Sequence, residues 1–173
     1  MDARDAQAVA HQLGREPRGL LGVAHRCPCG HPDVVRTAPR LPDGTPFPTV
    51  YYLTCPRAAA VIGTLESDGL MRTMTDRLAA DPDLASAHRL AHLAYVADRE
   101  LDGVVPELAG VSAGGMPDRV KCLHVLVAHA LAVGPGLNPL GDEALAAAQA
   151  VEPWWANGPC VQAAPDPEVA AQS

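Results

Sequence analysis

The segment Thr49-Val-Tyr-Tyr-Leu-Thr-Cys-Pro56 carries the clearest structural signal in the sequence. Its β-branched and aromatic residues predict a strand over residues 49–54. Proline suits the first position of a helix, so Pro56 predicts a helix that runs to about Ser67. Cys55 therefore lies where a strand passes into a helix, and the fold must combine both kinds of element.

Two further strands are predicted on the N-terminal side of this segment. Residues 20–26 form a short apolar run, and residues 34–37 are rich in β-branched side chains. Cys27-Pro-Cys-Gly-His-Pro32 lies between them and predicts a turn, because glycine and proline interrupt a β-ladder. Residues 42–48 predict a second turn. Short turns join antiparallel neighbours, so we expect a three-stranded, mostly antiparallel sheet.

Helical patterns dominate the rest of the chain. Besides the helix after Pro56, they cover residues 3–13, 70–80, 82 to about 101, 117–133 and 142–150. The expected fold class is α+β, with a small sheet near the N-terminal half packed by five to six helices. We expect one domain over residues 1–150. Residues 151–173 are expected to form a C-terminal extension that is disordered from about residue 163.

The charge and the N-terminal sequence restrict the classes of partner. The 173 residues carry a net charge of −7, and no window is rich in basic side chains. Nucleic-acid binding needs a basic surface, so that partner class is disfavoured. The N-terminus lacks the apolar segment of a secretory signal, and no apolar run is long enough to span a bilayer. We therefore expect a cytoplasmic protein whose partner is another protein or a small anionic ligand.

Five cysteines are the distinctive chemical feature of the chain. An odd number of cysteines in a reducing compartment argues against a disulfide framework. Cys27, Cys55 and Cys122 are each expected near the end of a regular element. Three thiolates and one further donor suit tetrahedral zinc, or an iron–sulfur cluster with an open position. The candidates for the fourth ligand are Cys29, His25, His124 and Cys160.

The same thiols have two other interpretations. A metal-free thiol enzyme would use Cys55 or Cys122 as its nucleophile with a histidine base. If Cys122 and His124 both lie inside a helix, however, their side chains point about 200° apart, which makes them poor direct partners. In the third interpretation the thiols are buried small hydrophobic groups of an interaction module.

An anion site is predicted at the start of the helix expected from Pro117. Lys121 and His124 would share one face of that helix, three residues apart. The glycine-rich entry to the helix would add backbone N–H groups that favour an anion. The predicted anion-binding residues are Ser112, Gly114, Gly115, Arg119 and Lys121.

Three blocks of sequence resemble a bacterial family catalogued as domain of unknown function five-hundred-and-one, which is common in actinobacteria. They are Arg26-Cys-Pro-Cys-Gly-His-Pro-Asp-Val-Val35, residues 39–57 and Ser112-Ala-Gly-Gly-Met-Pro-Asp-Arg-Val-Lys-Cys-Leu-His124. The resemblance covers roughly residues 15–145. It implies no established activity, and whether the protein is an enzyme stays open.

The resemblance bears on the setting and on the choice of ligands. Genes of the family often lie near those for a septum-formation protein and an exopolyphosphatase-like enzyme. That association implies a housekeeping or envelope-growth setting by analogy. The family pattern matches Cys27, Cys55, Cys122 and His124. More distant members carry an aromatic residue in place of Cys29, which argues against Cys29 as an obligatory ligand.

Overall fold

A computed structural model describes residues 1–162 of the chain. The expected disorder from about residue 163 lies outside these residues. Residues 1–162 form three strands and six α-helices, which confirms the α+β class. In chain order the elements are α1 (Ala3–Leu13), β1 (Leu20–Arg26), β2 (Pro32–Thr37), β3 (Tyr51–Leu53), α2 (Pro56–Ser67), α3 (Leu70–Ala80), α4 (Pro82–Glu100), a 3₁₀ helix (Pro106–Leu108), α5 (Leu123–Val133) and α6 (Pro139–Val151).

The sheet has the order β1-β2-β3, and both pairs of strands are antiparallel. The third strand is shorter than the sequence predicts, since only three residues pair regularly. The reason is a side chain distant in sequence: the Val50 N–H donates to the Tyr95 hydroxyl on α4 over 3.0 Å. The Thr54 N–H still donates to the Asp33 carbonyl, so the chain beyond β3 stays attached to β2.

The first four helices begin and end close to the predicted residues, because local signals fix their ends. Gly14 adopts the left-handed conformation after α1. Pro56 occupies the first turn of α2, and Cys55 is its N-cap. The Asp81 carboxylate accepts the Asp83 and Leu84 N–H groups at the start of α4, as an N-cap aspartate should.

The prediction that Pro117 begins a helix is wrong, because α5 begins at Leu123. Two backbone donors before it are used elsewhere. The Val120 N–H donates to the Thr75 hydroxyl on α3 over 3.0 Å, and the Lys121 N–H donates to the Gly114 carbonyl over 2.7 Å. Residues 117–122 are therefore a folded loop, and Cys122 is the N-cap of α5 rather than a residue of its second turn.

The last helix also begins earlier than predicted. It starts at Pro139 rather than Asp142, because Asn138 is its N-cap and its side chain accepts the Gly141 N–H over 3.1 Å. Helix α5 packs against β3 and α6, and most of its side chains are buried. Among residues 1–162, no helix is long and apolar enough to cross a bilayer.

Candidate metal centre

One end of the sheet gathers four of the five cysteines. Cys27 follows the last residue of β1 and is buried, and its thiol contacts that of Cys29 in the adjoining turn. Burial is the main cause that raises the pKa of Cys27. Cys55 is fully buried at the start of α2, and its thiol contacts that of Cys160. The predicted ligands Cys27 and Cys55 thus each have another cysteine as a neighbour.

The fifth cysteine has different partners, Glu66 and His124. Cys122 precedes α5 and His124 lies in its first turn, so the two side chains are close: the Cys122 Sγ atom is 3.9 Å from His124 Nδ1. The expected separation of about 200° required both residues to lie inside a helix, and that expectation is wrong. Glu66 reaches the same place from α2, and its Oε1 atom is 3.1 Å from His124 Nδ1.

The two ring nitrogens of His124 have distinct roles. Nε2 lies 3.1 Å from the Ala59 carbonyl oxygen on α2. A carbonyl only accepts hydrogen bonds, so Nε2 carries a hydrogen and donates it. Nδ1 is left facing both the Glu66 carboxylate and the Cys122 sulfur. A lone pair on Nδ1 would face the Glu66 carboxylate, which only accepts hydrogen bonds, so this position favours a cation, either a proton or a metal ion.

Glu66 is held in position by the helix that follows Cys122. The Leu123 N–H, the first of α5, donates to Glu66 Oε1 over 2.6 Å. The carboxylate therefore lies at the positive end of the α5 dipole, where a negative charge is stabilised. This contact orients the oxygen that faces His124.

The electrostatic surroundings strongly perturb His124. Contact with the Cys122 thiol, reinforced by the Glu66 carboxylate, raises the pKa of His124 to about 9, although burial acts in the opposite direction. The group is half-buried, since each of its three side chains keeps part of its surface accessible. The site therefore stabilises a positive charge at His124, at a place that keeps part of its surface accessible.

Among residues 1–162, the only group of three or more side chains with metal-ligand geometry is Glu66, Cys122 and His124. Their donor atoms all lie within 4.8 Å of one another. Tetrahedral zinc with ordinary bond lengths needs about 3.6 Å between sulfur and nitrogen and about 3.4 Å between nitrogen and oxygen. The observed 3.9 Å and 3.1 Å differ from these values by a few tenths of an ångström.

The other predicted ligands do not join this group. Cys27, Cys29 and Cys55 are absent from it. The Nδ1 atom of His25 instead lies 2.6 Å from the buried carboxylate of Asp33. The structure thus brings together two of the predicted ligands, Cys122 and His124. Metal binding by the cysteines at the end of the sheet stays a prediction.

The predicted anion-binding residues lie in the loop before α5. Ser112 is buried, where its hydroxyl lies 2.9 Å from His92 Nδ1 and donates to the Met116 carbonyl over 3.2 Å. The carbonyls of Gly114 and Gly115 accept the N–H groups of Lys121 and Arg119. The two glycines therefore bond to Arg119 and Lys121, Ser112 bonds to other residues, and none of the five lies on a helix start. Anion binding here stays a prediction without the helix on which it was based.

A pocket of about 590 Å³ adjoins the site. Cys122 and His124 form part of its wall, which also includes the apolar residues Leu53 and Val125 and the aromatic residue Tyr51. The pocket is thus large enough for a small molecule that has an apolar part.

Glu66 was not predicted from the sequence. It lies 56 residues before Cys122, so nothing in its spacing links the two. One local signal existed: Glu66 falls in the last turn of α2, where the helix dipole disfavours an acidic side chain. A carboxylate in such a position indicates compensation by another element, which here is the N-terminus of α5.

A comparison with family models finds one whose description is "Protein of unknown function (DUF501)", and it matches residues 23–146. The matched region includes Glu66, Cys122 and His124. Searches of curated proteins and of solved structures find no match.

Proposed function

Because the chain belongs to the family of proteins of unknown function DUF501, we propose its function from the site itself: it binds one zinc ion through Glu66, Cys122 and His124. One observation carries the proposal. His124 Nδ1 faces both the Glu66 carboxylate and the Cys122 sulfur, while Nε2 donates to a backbone carbonyl. Histidines that bind metals typically donate their second ring N–H to a carbonyl or carboxylate in this way.

The donor set favours zinc over an iron–sulfur cluster. Iron–sulfur clusters are held mainly by several cysteine thiolates, and this site offers one. One sulfur, one nitrogen and one oxygen donor suit zinc, which accepts all three. A reducing cytoplasm is part of the proposal, because it keeps Cys122 a thiol.

The same geometry argues against a metal-free catalytic triad. In such a triad the nucleophile contacts one ring nitrogen of the histidine, and the orienting carboxylate contacts the other. Here Glu66 and Cys122 both contact Nδ1, and Nε2 is bonded to Ala59. His124 therefore has no free ring nitrogen with which a separate carboxylate could orient it as the base.

The adjoining pocket supports a second, catalytic role for the metal. Three protein ligands leave the fourth tetrahedral position to water or a ligand, an arrangement typical of catalytic zinc rather than closed structural zinc. Because Cys122 and His124 line the pocket, a molecule bound there would lie beside that position. Azide tests this role, because it should shift the visible absorption of the cobalt-substituted protein if the fourth position is open. An unchanged spectrum would identify a closed, structural site.

Metal binding is tested on the full chain, purified without a histidine tag and stripped of metal under reducing conditions. We expect one zinc ion per chain in a competition titration with a chromogenic chelator. Cobalt should give the near-ultraviolet absorption of a thiolate-to-metal transition, because Cys122 supplies sulfur. Substitution of one ligand, as in Cys122→Ser or His124→Ala, should weaken zinc binding by at least about 100-fold, because a change to a residue that only supports a ligand already costs roughly 10–100-fold.

Matched variants separate this site from the cysteines at the end of the sheet. Cys27→Ser and Cys55→Ser should keep both the zinc stoichiometry and the thiolate absorption, whereas Cys122→Ser should lose the absorption. Glu66→Gln keeps an oxygen that can accept the Leu123 N–H but removes the charge, so it should bind zinc more weakly without unfolding. If Cys122→Ser keeps the absorption while Cys27→Ser or Cys55→Ser loses it, the site is wrongly assigned. Absence of zinc binding would leave Glu66 and His124 a structural ion pair and refute the proposal.

A further inference from the structure

Cys55 and Cys160 form a thiol pair that the zinc site does not use. Cys55 is fully buried as the N-cap of α2. Cys160 lies 105 positions later in the sequence, in the segment after α6, and is half-buried. The two thiols contact each other. Cys160 therefore keeps part of its surface accessible, whereas its neighbour Cys55 is buried.

The surroundings hold Cys160 in place. Gln12 of α1 donates from its side-chain amide to the Cys160 sulfur over 3.2 Å, and the same amide donates to the Pro32 carbonyl over 2.7 Å. Arg57, two residues after Cys55, donates to the Gly158 carbonyl over 2.7 Å. The segment around Cys160 is thus hydrogen-bonded both to α1 and to the start of α2.

The contact between the two thiols also shifts their pKa values in opposite directions. Contact with the Cys55 thiol, supported by the Gln12 amide, lowers the pKa of Cys160. The same contact with Cys160, together with burial, raises the pKa of Cys55. The two cysteines also differ in exposure, since Cys160 keeps part of its surface accessible and Cys55 does not. Peroxide therefore reaches the pair at Cys160, and the thiolate is the reactive form of cysteine.

We propose that Cys160 is a peroxide-reactive cysteine and Cys55 its resolving partner, so that oxidation by hydrogen peroxide links residues 55 and 160 by a disulfide. Reactive cysteines with a second thiol close by are typical of reversible thiol oxidation. The disulfide would tie the segment after α6 covalently to the start of α2. This site is independent of the proposed zinc ligands.

The reaction balances with hydrogen peroxide as the only oxidant. The Cys160 thiolate attacks one peroxide oxygen, the O–O bond breaks, and the departing hydroxide takes a proton to become water. Cys160 is then a sulfenic acid, oxidised by the two electrons that reduced the peroxide. Cys55 loses its proton and attacks the Cys160 sulfur, and the displaced hydroxide combines with that proton as a second water. Two thiols and one peroxide thus yield one disulfide and two waters.

The experiment treats the reduced, metal-free full chain with one equivalent of hydrogen peroxide and maps the disulfide by mass spectrometry. Trypsin leaves Cys122 and Cys160 on one peptide, residues 122–173, so a second cleavage after Glu143 is needed to separate them. We expect a linked pair of peptides that contain Cys55 and Cys160, and its loss on addition of a dithiol reductant.

Single variants assign the two roles. Cys160→Ser should slow the consumption of peroxide at least 10-fold. Cys55→Ser should still react, but should stop at a sulfenic acid on Cys160 that dimedone traps. Cys29→Ser is the matched control and should form the disulfide at the wild-type rate. Circular dichroism checks that each variant is folded.

Other outcomes overturn the proposal. Wild-type protein that forms a different disulfide first, or that oxidises Cys160 beyond the sulfenic acid while Cys55 stays reduced, contradicts it whatever the variants do. The zinc proposal uses other residues, so it would stand even if no Cys55–Cys160 disulfide forms. The two proposals are therefore tested separately.

Discussion

Replacement of Arg99 by alanine is expected to lower the free energy of unfolding by about 4 kcal/mol. Arg99 is among the largest fully buried side chains, with 2% of its surface exposed. Its guanidinium donates to the Val111 carbonyl and, over 2.8 Å, to the Leu108 carbonyl. Alanine would leave both carbonyls without this donor and would open a cavity at the end of α4. Urea unfolding of the metal-free protein at constant pH measures the change.

Two variants on the same helix make this result interpretable. Arg89→Ala removes an exposed arginine of α4 and should change stability by no more than about 0.5 kcal/mol. Arg99→Lys keeps the charge but lacks the planar fork that serves two carbonyls, so it should lose about half as much as Arg99→Ala. This milder variant also provides a measurement if Arg99→Ala does not fold. A loss below about 1 kcal/mol for Arg99→Ala would mean that the buried hydrogen bonds contribute little.

The elements that the sequence predicts well are those whose ends are set by neighbouring residues. Gly14, Pro56 and the Asp81-Pro82 pair each act within one turn of a helix, and the corresponding ends were predicted closely. Strand β3 and helix α5 were predicted less well because distant side chains take their backbone donors. Tyr95 bonds to Val50 and Thr75 bonds to Val120, each across 45 positions of sequence. No local pattern encodes such contacts.

The candidate metal centre shows the same limit. The sequence indicates Cys122 and His124 by residue type. Because it predicts that α5 begins too early, however, it places both residues inside the helix with their side chains on opposite faces. Glu66 belongs to another helix, and its part in the site follows only from the packing of α2 against α5. Residue chemistry therefore identified two of the three donors, whereas tertiary structure was needed to find the third and to separate Cys122 from Cys27 and Cys55.

Acid is expected to destabilise the protein through His129, by roughly 2 kcal/mol between pH 7 and pH 5. His129 has no exposed surface and lies between Tyr51 and Tyr95, whose ring centres are 5.8 Å and 5.1 Å from its own. Asn138 donates to its Nδ1 atom over 3.3 Å, so Nε2 carries the single hydrogen. A second proton would displace this hydrogen bond and place a charge in the core.

The direction of the effect follows from the two states. Burial lowers the pKa of His129 from 6.5 to about 4, so the folded protein keeps the ring neutral where the unfolded chain would protonate it. The unfolded state binds the additional proton below about pH 6.5. Stability is therefore complete above that pH and is lost progressively as the pH falls toward about 4.

A phenylalanine variant isolates this contribution from other acid-sensitive groups. His129→Phe keeps an aromatic ring between the two tyrosines but cannot titrate, so its loss of stability between pH 7 and pH 5 should be smaller than that of the wild type by roughly 2 kcal/mol. The pKa of His88 is also lowered by burial, so some acid sensitivity should remain in the variant. His11→Gln changes an exposed histidine and should behave like the wild type. If His129→Phe and the wild type lose the same stability, His129 is not the buried titrating group, and the acid response must arise from other residues.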